Sequence, residues 1–493
     1  MRLDTLVSPF PVALPDAFPG DAEIERIEYD SRRADAGCLF VCMPGARTDG
    51  HDFARFAYEA GCRCFLAEHK VDLPADAAQI IADDTRALLP ALSARFYGNP
   101  ADKLELIGIT GTKGKTTTAL LTTAILNSAG IPTAYVGSNG VIIRDTRIET
   151  ANTTPESRDL HMYFRAMVAA GIRVAVLEVS SQALAHHRTD GLRYAATAYL
   201  NLSEDHIGPS EHKDFDDYMA AKARLFSDFS SDVTVYNADD AYAARVLAGC
   251  RAPKISYSMR GDADFSGFSP VSYREDGVLG VAFDCLANGK TTHVWLRSPG
   301  DFSVYNALCA IALCRRFGVS VETAAEALRE TSVLGRFEIV DALPDRTFIV
   351  DYAHNGLSLT KALSVLRQYE PRRLICVFGS VGGRTKGRRE ELGRAAAALA
   401  DYSIITSDNP DFEDPEAIMR DIASYFSEGA PYETIADRGE AIRRAVEISA
   451  PGDIVLFAGK GHESYQLVEG KKLPFSERDI IRRAAAELPV AGR

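Results

Sequence analysis

The chain of 493 residues has no uninterrupted apolar run of about 18 residues, so no membrane-spanning helix is expected. It opens MRLDTLVSPFPVALPDAFPGDAE, without a basic end followed by a continuous apolar segment, so a secretory leader is not expected either. An excess of positive charge is also missing. The formal net charge is −13, which argues against a nucleic-acid partner, because such a partner requires a basic face. The nine cysteines form no metal-binding set. The closest pairs, Cys38/Cys42 and Cys62/Cys64, have neither a second cluster nor a histidine pair at zinc spacing. Their number is odd and the chain is large, which predicts reduced thiols in a cytoplasmic protein, buried as small hydrophobes. Tandem repeats and low-complexity tracts are absent too.

What is present is a run of α/β units. With 46% hydrophobic and 25% charged residues the composition is that of an ordinary globular chain, and the length predicts three domains. Residues 1–98 alternate short apolar runs (CLFVCM, CRCFLAE, AQIIAD) with helical patterns, and YGNPADK (Tyr97 to Lys103) is a turn-rich break. Residues 99–331 continue with LELIGIT, VAVLEVS, AATAYLNLS and DVTVYNADD. Each run is apolar, rich in β-branched residues and polar at its end. Such strands alternating with helices predict a parallel sheet with ligands at its carboxyl edge. The shorter alternating segments near 253–300 (KISYSM, GVAFDCL, TTHVWLR) predict a small antiparallel insertion. Residues 332–493 restart the α/β pattern with TFIVDYAHN, LICVFGSVGGRTKG, YSIITSDNPD and DIVLFAGKGHE.

The strongest chemistry lies in GITGTKGKTTT, Gly108 to Thr118, between a strand and a helix. Backbone N–H groups from Gly111 to Lys115 can cradle phosphate oxygens, helped by the helix N-terminus. Lys115 adds a cation for the β- and γ-phosphates, and Thr116 offers its hydroxyl to Mg²⁺. The match to the G-x-x-x-x-G-K-[ST] pattern is imperfect, because Ile109 stands where its first glycine belongs. Magnesium takes hard oxygen ligands. Glu178, at the end of VAVLEVS, could face the same loop, and His206 follows the next strand. Read alone, Glu178 is also a plain helix N-terminal acid, His206 a structural histidine and Lys222 an amphipathic-helix lysine.

Taken together these segments resemble the Mur ligases. The resemblance is carried, in family order, by GTKGKTT, NTTPES, EVSSQAL, NLSEDHIGPSEHKDFDDYMAAK, GRFE, VDYAHN, DNP and AGKGHE, and by the N-terminal DSRRADAGCLFVCMPGARTDGHDF. It is strongest to the branch that adds the third residue of the peptidoglycan stem peptide. It implies three α/β domains: a UDP-sugar-binding domain, an ATP-binding domain, and a Rossmann-like domain for the incoming amino acid. It also implies a cytoplasmic, monomeric enzyme that uses ATP and Mg²⁺ to activate the free D-glutamate carboxylate of UDP-N-acetylmuramoyl-L-alanyl-D-glutamate as an acyl phosphate. Gly111, Thr112, Lys113 (where asparagine is commoner), Gly114, Lys115, Thr116 and Thr117 match the family's phosphate loop. Glu178 and His206 match its metal ligands, and Lys222 the lysine carried as a CO2-derived carbamate. Asn306, Arg336 and Asp351 fit the nucleotide. Ser31 fits the uridine. Asn152, Thr153, Thr154, Ser180 and Arg188 fit the muramoyl dipeptide, as does His186, where some relatives place glutamine.

For the incoming amino acid, Arg389 matches the family's α-carboxylate grip, with Arg384 a second candidate in the basic loop GGRTKGRR; arginine is suited to holding a carboxylate bidentately. Gly459 and Glu463 of GKGHE match further contacts. Asp408, Asn409, Pro410 and Asp411 align with the family's selectivity loop, whose fourth residue is arginine in relatives that add meso-diaminopimelate. The acid at 411 would repel that substrate's second carboxylate; it could instead attract a side-chain ammonium or simply stay solvated. L-lysine is therefore the expected amino acid, with L-ornithine and meso-diaminopimelate left open. A reading of another class, a non-catalytic nucleotide-binding protein on the same fold, also stays open.

Overall fold

A computed structural model describes residues 1–15, 18–45, 48–208, 211–275, 277–383 and 385–488. Among them no helix is long and apolar enough to cross a membrane. The chain divides into two compact units. The first holds Met1–Phe265 and Cys309–Ser320; the second holds Ser266–Leu308 and Val321–Arg493.

The first unit contains two sheets. The smaller has four parallel strands in chain order, Arg26–Glu28, Cys38–Val41, Cys64–Ala67 and Ala78–Ile81. Its two central strands are buried at every position. That is why they read as continuous apolar runs and not as alternating ones. Leu3, Leu6, Ile27, Leu39, Leu66 and Leu89 form one core, and Phe40, Ala54, Ala57 and Phe65 another. All nine cysteines are free thiols, and all but Cys250 are buried, as expected of small hydrophobes.

The larger sheet runs in the order Lys254–Ser258, Thr234–Asn237, Ala196–Tyr199, Glu105–Thr110, Val174–Glu178 and Thr133–Gly137, all parallel. Gly140–Ile143 and Thr146–Ile148 extend it antiparallel. KISYSM, expected in the antiparallel insertion, is in fact a parallel strand paired with Thr234–Asn237. The strand is exposed at Lys254 and buried at Tyr257 and Ser258, so its mixed sequence marks a sheet position that is only partly covered and not a reversal of the chain. The phosphate-loop strand lies between two parallel neighbours, and Ile109 is in register with Glu178. Both strands therefore release their following residues at the same carboxyl edge, where ligands bind in open α/β sheets.

In the second unit Val278–Ala287 and Lys290–Leu296 form an antiparallel hairpin, the realised part of the expected insertion. A six-stranded sheet follows in the order Glu338–Ile339, Thr347–Asp351, Ile454–Ala458, Leu374–Phe378, Tyr402–Thr406 and Tyr432–Ile435. Only the first strand is antiparallel to its neighbour. Two apolar cores form here, one around Leu359, Leu363, Leu392 and Ile422 and one around Ile442, Val446 and Ile481. The carboxyl ends of three central strands deliver 379–389, 407–413 and 459–463, the loops that carry the expected amino-acid contacts.

Candidate active site

The phosphate loop leaves strand Glu105–Thr110 and enters helix Lys115–Ser128. A Cβ on Gly111 would sit 2.8 Å from Leu200 Cβ, so only glycine lets the loop pass there. Asn201, which the sequence reading did not single out, clasps the loop. Its Oδ1 accepts from Lys113 N–H at 2.9 Å and its Nδ2 donates to Lys113 O at 3.0 Å. Thr112 Oγ1 accepts from the Tyr218 hydroxyl at 3.1 Å and from Ser203 N–H at 3.0 Å. Lys113 is exposed and pairs with Asp205 at 2.9 Å. Gly114 forms the helix N-cap, and Thr117 is half-buried on the first turn. Lys115 Nζ donates to Gly111 O at 2.8 Å and to Thr112 O at 3.2 Å.

Thr116 and Glu178 meet as expected. The Thr116 hydroxyl donates to Glu178 Oε2 at 3.0 Å, and both side chains are buried. Glu178 also accepts from the Tyr135 hydroxyl and, at 2.9 Å, from Ser138 N–H. A carboxylate and a hydroxyl held this closely are the hard oxygen donors that suit Mg²⁺.

Lys222 lies on helix Phe215–Ser227, whose N-cap Asp214 accepts from Asp217 N–H at 2.8 Å. It is not the solvated lysine its amphipathic setting suggests. The side chain is 1% exposed, Nζ donates to Gly111 O at 3.0 Å, and the ammonium lies 4.6 Å from the centre of the Tyr218 ring. Burial, reinforced by the charge of Lys115, pushes its pKa well below the usual lysine value. His206 stands apart from this pair. It adopts φ +57°, its side chain is 44% exposed, and Nδ1 contacts Glu211 at 3.1 Å. Of the four expected metal ligands the structure thus joins Thr116 and Glu178, and it brings Lys222 to the loop through Gly111. Among the described residues no cluster of three or more His, Cys, Asp or Glu stands at metal spacing.

The residues expected to bind the muramoyl dipeptide form a connected set, apart from Asn152 and His186. The Thr154 hydroxyl donates to Glu178 O at 2.7 Å and accepts from Ser180 N–H at 3.1 Å. Ser180 caps helix Ser181–Ala185 by accepting from Ala183 N–H. Arg188 donates to Thr154 O at 3.1 Å and pairs with Glu156 at 2.8 Å. Thr153 and Ser138 share a hydroxyl contact of 3.0 Å. Asn152 is exposed, with its carbonyl accepting from the Thr150 hydroxyl. His186 packs on Gln182 at 3.0 Å, and burial beside Arg86 and Arg188 pushes its pKa down to about 4, so it is neutral. Ser31 opens a short 3-10 helix capped by Asp30.

In the second unit Asn306 is 7% exposed and not the surface residue a lone helical asparagine suggests. Arg336 lies 4.9 Å from the Tyr352 ring centre, and its Nε is buried without a hydrogen-bond partner among the described residues. Asp351 accepts from Phe337 N–H at 2.8 Å, and burial raises its pKa against the opposing charge of Arg336.

The amino-acid loops depart from expectation in two places. Arg389 does not present an open fork. Its Nη2 donates to both Glu413 oxygens at 2.7 Å and its Nη1 to Asp421 at 3.3 Å, with the side chain 6% exposed. The residue type suits a carboxylate, but the chain itself supplies the carboxylate. Arg384 lies outside the described residues. The second departure is Asp411, whose half-exposed carboxylate is engaged by the backbone. Oδ1 accepts from Gly470 N–H at 2.8 Å. Glu463 and Asn409 do converge, because Asn409 Nδ2 donates to Glu463 Oε2 at 2.9 Å. The fully buried Lys460 joins them, donating to Asn409 Oδ1 at 2.7 Å and Glu463 Oε2 at 2.8 Å. Asp408 lies 3.7 Å from Lys460 Nζ. Gly459 permits this approach: a Cβ there would sit 2.9 Å from Asp408 Oδ2. Pro410 turns the loop, its carbonyl accepting from Glu413 N–H.

A parallel sheet with a glycine-bounded phosphate loop at its carboxyl edge, a buried carboxylate on the first helical threonine and a buried lysine beside it define a nucleotide-dependent phosphoryl-handling protein. Residues 23–97 match the Mur ligase family catalytic domain, 109–314 the Mur ligase middle domain and 335–461 the Mur ligase glutamate ligase domain. The chain belongs to the Mur ligase family, and these domains follow in the order the three-domain α/β reading requires. It is 37% identical over 472 residues to a UDP-N-acetylmuramoyl-L-alanyl-D-glutamate–2,6-diaminopimelate ligase of Clostridium botulinum, covering 94% of this chain and 96% of that protein. It is 38% identical over 476 residues to the ligase of the same name from Bacillus licheniformis, covering 95% and 96%. A solved structure of a ligase of that name superposes with a TM-score of 0.69 at 28% identity over 99% of each chain. A ligase structure from Acinetobacter baumannii shares the fold at 22% identity, with a TM-score of 0.66 over 93% and 95%.

Proposed function

We propose that this chain is an ATP-dependent amide ligase that joins a diamino acid to UDP-N-acetylmuramoyl-L-alanyl-D-glutamate in peptidoglycan precursor synthesis, releasing ADP and phosphate. The observation that carries this reading is the buried set Thr116–Glu178 and Lys115–Gly111–Lys222, in a chain that shares almost its whole length with ligases named for that reaction.

A carboxylate is a poor acyl donor, so it must first be activated. Its oxygen attacks the γ-phosphorus and the bond to ADP breaks, leaving an acyl phosphate. The amine then attacks the acyl carbon, and the tetrahedral intermediate expels phosphate while the nitrogen loses its proton. Phosphoryl transfer of this kind rests on positioning and charge neutralisation. The loop amides and Lys115 hold the β- and γ-phosphates. Thr116 and Glu178 are the residues that would hold Mg²⁺, which neutralises phosphate charge when bound. Lys222 has a physical reason to be modified: burial lowers its pKa, so the amine gives up its proton more readily and can then take up CO2, forming an N–C bond and releasing a proton. The carbamate would turn a cation at Gly111 O into an oxygen ligand. Thr154, Ser180 and Arg188 would line the muramoyl dipeptide, and Asn306, Arg336 and Asp351 the nucleotide.

For the amino acid, the relatives' names favour 2,6-diaminopimelate over the L-lysine expected from the sequence. L-lysine remains a second reading on one observation, the absence of a cation at 411. The test is ADP release and amide formation with UDP-muramoyl-dipeptide and each of meso-diaminopimelate, L-lysine and L-ornithine at matched concentration. Faster turnover with diaminopimelate is expected. Faster turnover with lysine would reverse the choice, and no ADP release with any of them would leave a non-catalytic nucleotide-binding protein.

A further inference from the structure

The loop 408–413 does not stand by itself. It is laid along the hairpin formed by Tyr465–Val468 and Lys471–Pro474. Gln466 Nε2 donates to Asp408 O at 3.0 Å, and Leu467 N–H donates to Asn409 Oδ1 at 2.9 Å. Asp411 N–H donates to Leu467 O at 3.0 Å, and Glu469 N–H to Asp411 O at 2.9 Å. The Asp411 carboxylate closes the series on Gly470 N–H at 2.8 Å. Phe412 lies over the same turn: a Cβ on Gly470 would fall 3.3 Å from its ring. Asp411 also holds φ +53°, a left-handed conformation that Asp and Asn tolerate better than most residues. The loop is thus attached through backbone and amide groups, and one carboxylate pins the end nearest the turn.

From this geometry we infer that Asp411 is a positioning residue. Its carboxylate sets the selectivity loop against the 465–474 hairpin and so fixes Asn409 toward Glu463 and Lys460, and the hairpin is part of the amino-acid specificity machinery. The inference rests on reading 408–411 as the loop that receives the incoming amino acid. It assigns the acid at 411 a different task from repelling or attracting substrate charge. A charge acting on substrate would be lost in Asp411→Asn. A hydrogen-bond acceptor in a left-handed turn would survive, because asparagine keeps both the oxygen and the conformational tolerance.

The test combines kinetics with amide hydrogen exchange on the full-length protein. Asp411→Ala is expected to raise KM for the incoming amino acid about tenfold, the scale of a lost hydrogen bond to a charged acceptor, with KM for ATP and for the UDP-linked substrate unchanged. Exchange at the Gly470 amide should speed up by a similar factor without any substrate present. Asp411→Asn should restore both and leave the ratio of diaminopimelate to lysine use within about twofold of the parent, since the acceptor oxygen is retained. A tenfold change of that ratio in Asp411→Asn would show that the carboxylate faces substrate and would overturn the inference. So would unchanged Gly470 exchange in Asp411→Ala. Should the parent protein turn over no amino acid at all, the functional reading fails, and the exchange data alone still decide whether Asp411 pins the hairpin.

Discussion

The two loop systems handle buried positive charge in opposite ways. At the phosphate loop, Lys115 and Lys222 both donate to the carbonyl of Gly111, a neutral dipole. In and beside the loops expected to receive the amino acid, three buried cations meet carboxylates: Lys460 with Glu463, Arg389 with Glu413 and Asp421, and Arg438, which opens helix Arg438–Ile448, with Glu477. Donation to a carbonyl dipole leaves these two amines beside the loop that would receive a polyanion. A cation held by a carboxylate uses its charge to fix the backbone. The first arrangement suits a site that must neutralise phosphate, and the second suits one that must hold shape around a small zwitterion.

The contrast can be broken most sharply at Lys222. Lys222→Ala should lower kcat by about 10³-fold, the scale of removing a preorganised charged group. Lys222→Met, which keeps the buried volume while removing the amine, should lower kcat as far and leave the melting temperature nearly unchanged. Near-normal turnover would show that the buried lysine is structural. At the paired site the balance should invert. Lys460→Met leaves Asp408 and Glu463 without their buried cation and should cost about 3 kcal/mol of stability, read from denaturant unfolding. A shift of less than about 1 kcal/mol would refute the view that this buried cation holds the loops together.

His161 sharpens the comparison with a base that has neither kind of partner. It is 4% exposed, its Nδ1 has no hydrogen-bond partner among the described residues, and burial pushes its pKa from 6.5 down to about 4. The folded state therefore binds fewer protons than the unfolded chain between these values. Stability present above pH 6.5 is lost as pH falls toward 4. The loss from this residue is about 2 kcal/mol by pH 5. His161→Leu should flatten that part of the stability profile relative to the parent, and parallel profiles would refute the buried-neutral reading.

Much of this was legible in the residues. GTKGKTT between a strand and a helix announced the phosphate loop, and VAVLEVS placed Glu178 at a strand's carboxyl end, because apolar β-branched runs that stop in polar residues map directly onto parallel strands. Asn201, Tyr135, Ser138 and Glu156 were not legible. Asn201 and Glu156 lie within quoted motifs, NLSEDHIG and NTTPES, but each of the four acts on a partner far along the chain, and that partner cannot be read from its own segment. Arg389 shows the limit most clearly. Its type and loop suggested a grip on the amino acid's α-carboxylate, whereas the partner it has is Glu413, set by where helix Pro415–Ala423 and the 408–413 loop come to lie.

The sequence by itself determined the order of α/β units, the phosphate loop and the kinds of charged group each loop would carry, because these follow from local periodicity and turn chemistry. Only the tertiary structure decided which charges remain available. Burial set Lys222 against the Gly111 carbonyl, with no carboxylate among its observed partners. Packing against a distant hairpin brought the Gly470 N–H onto the Asp411 carboxylate. Both outcomes depend on distances between segments far apart in the chain, and those distances exist only once the sheets have formed.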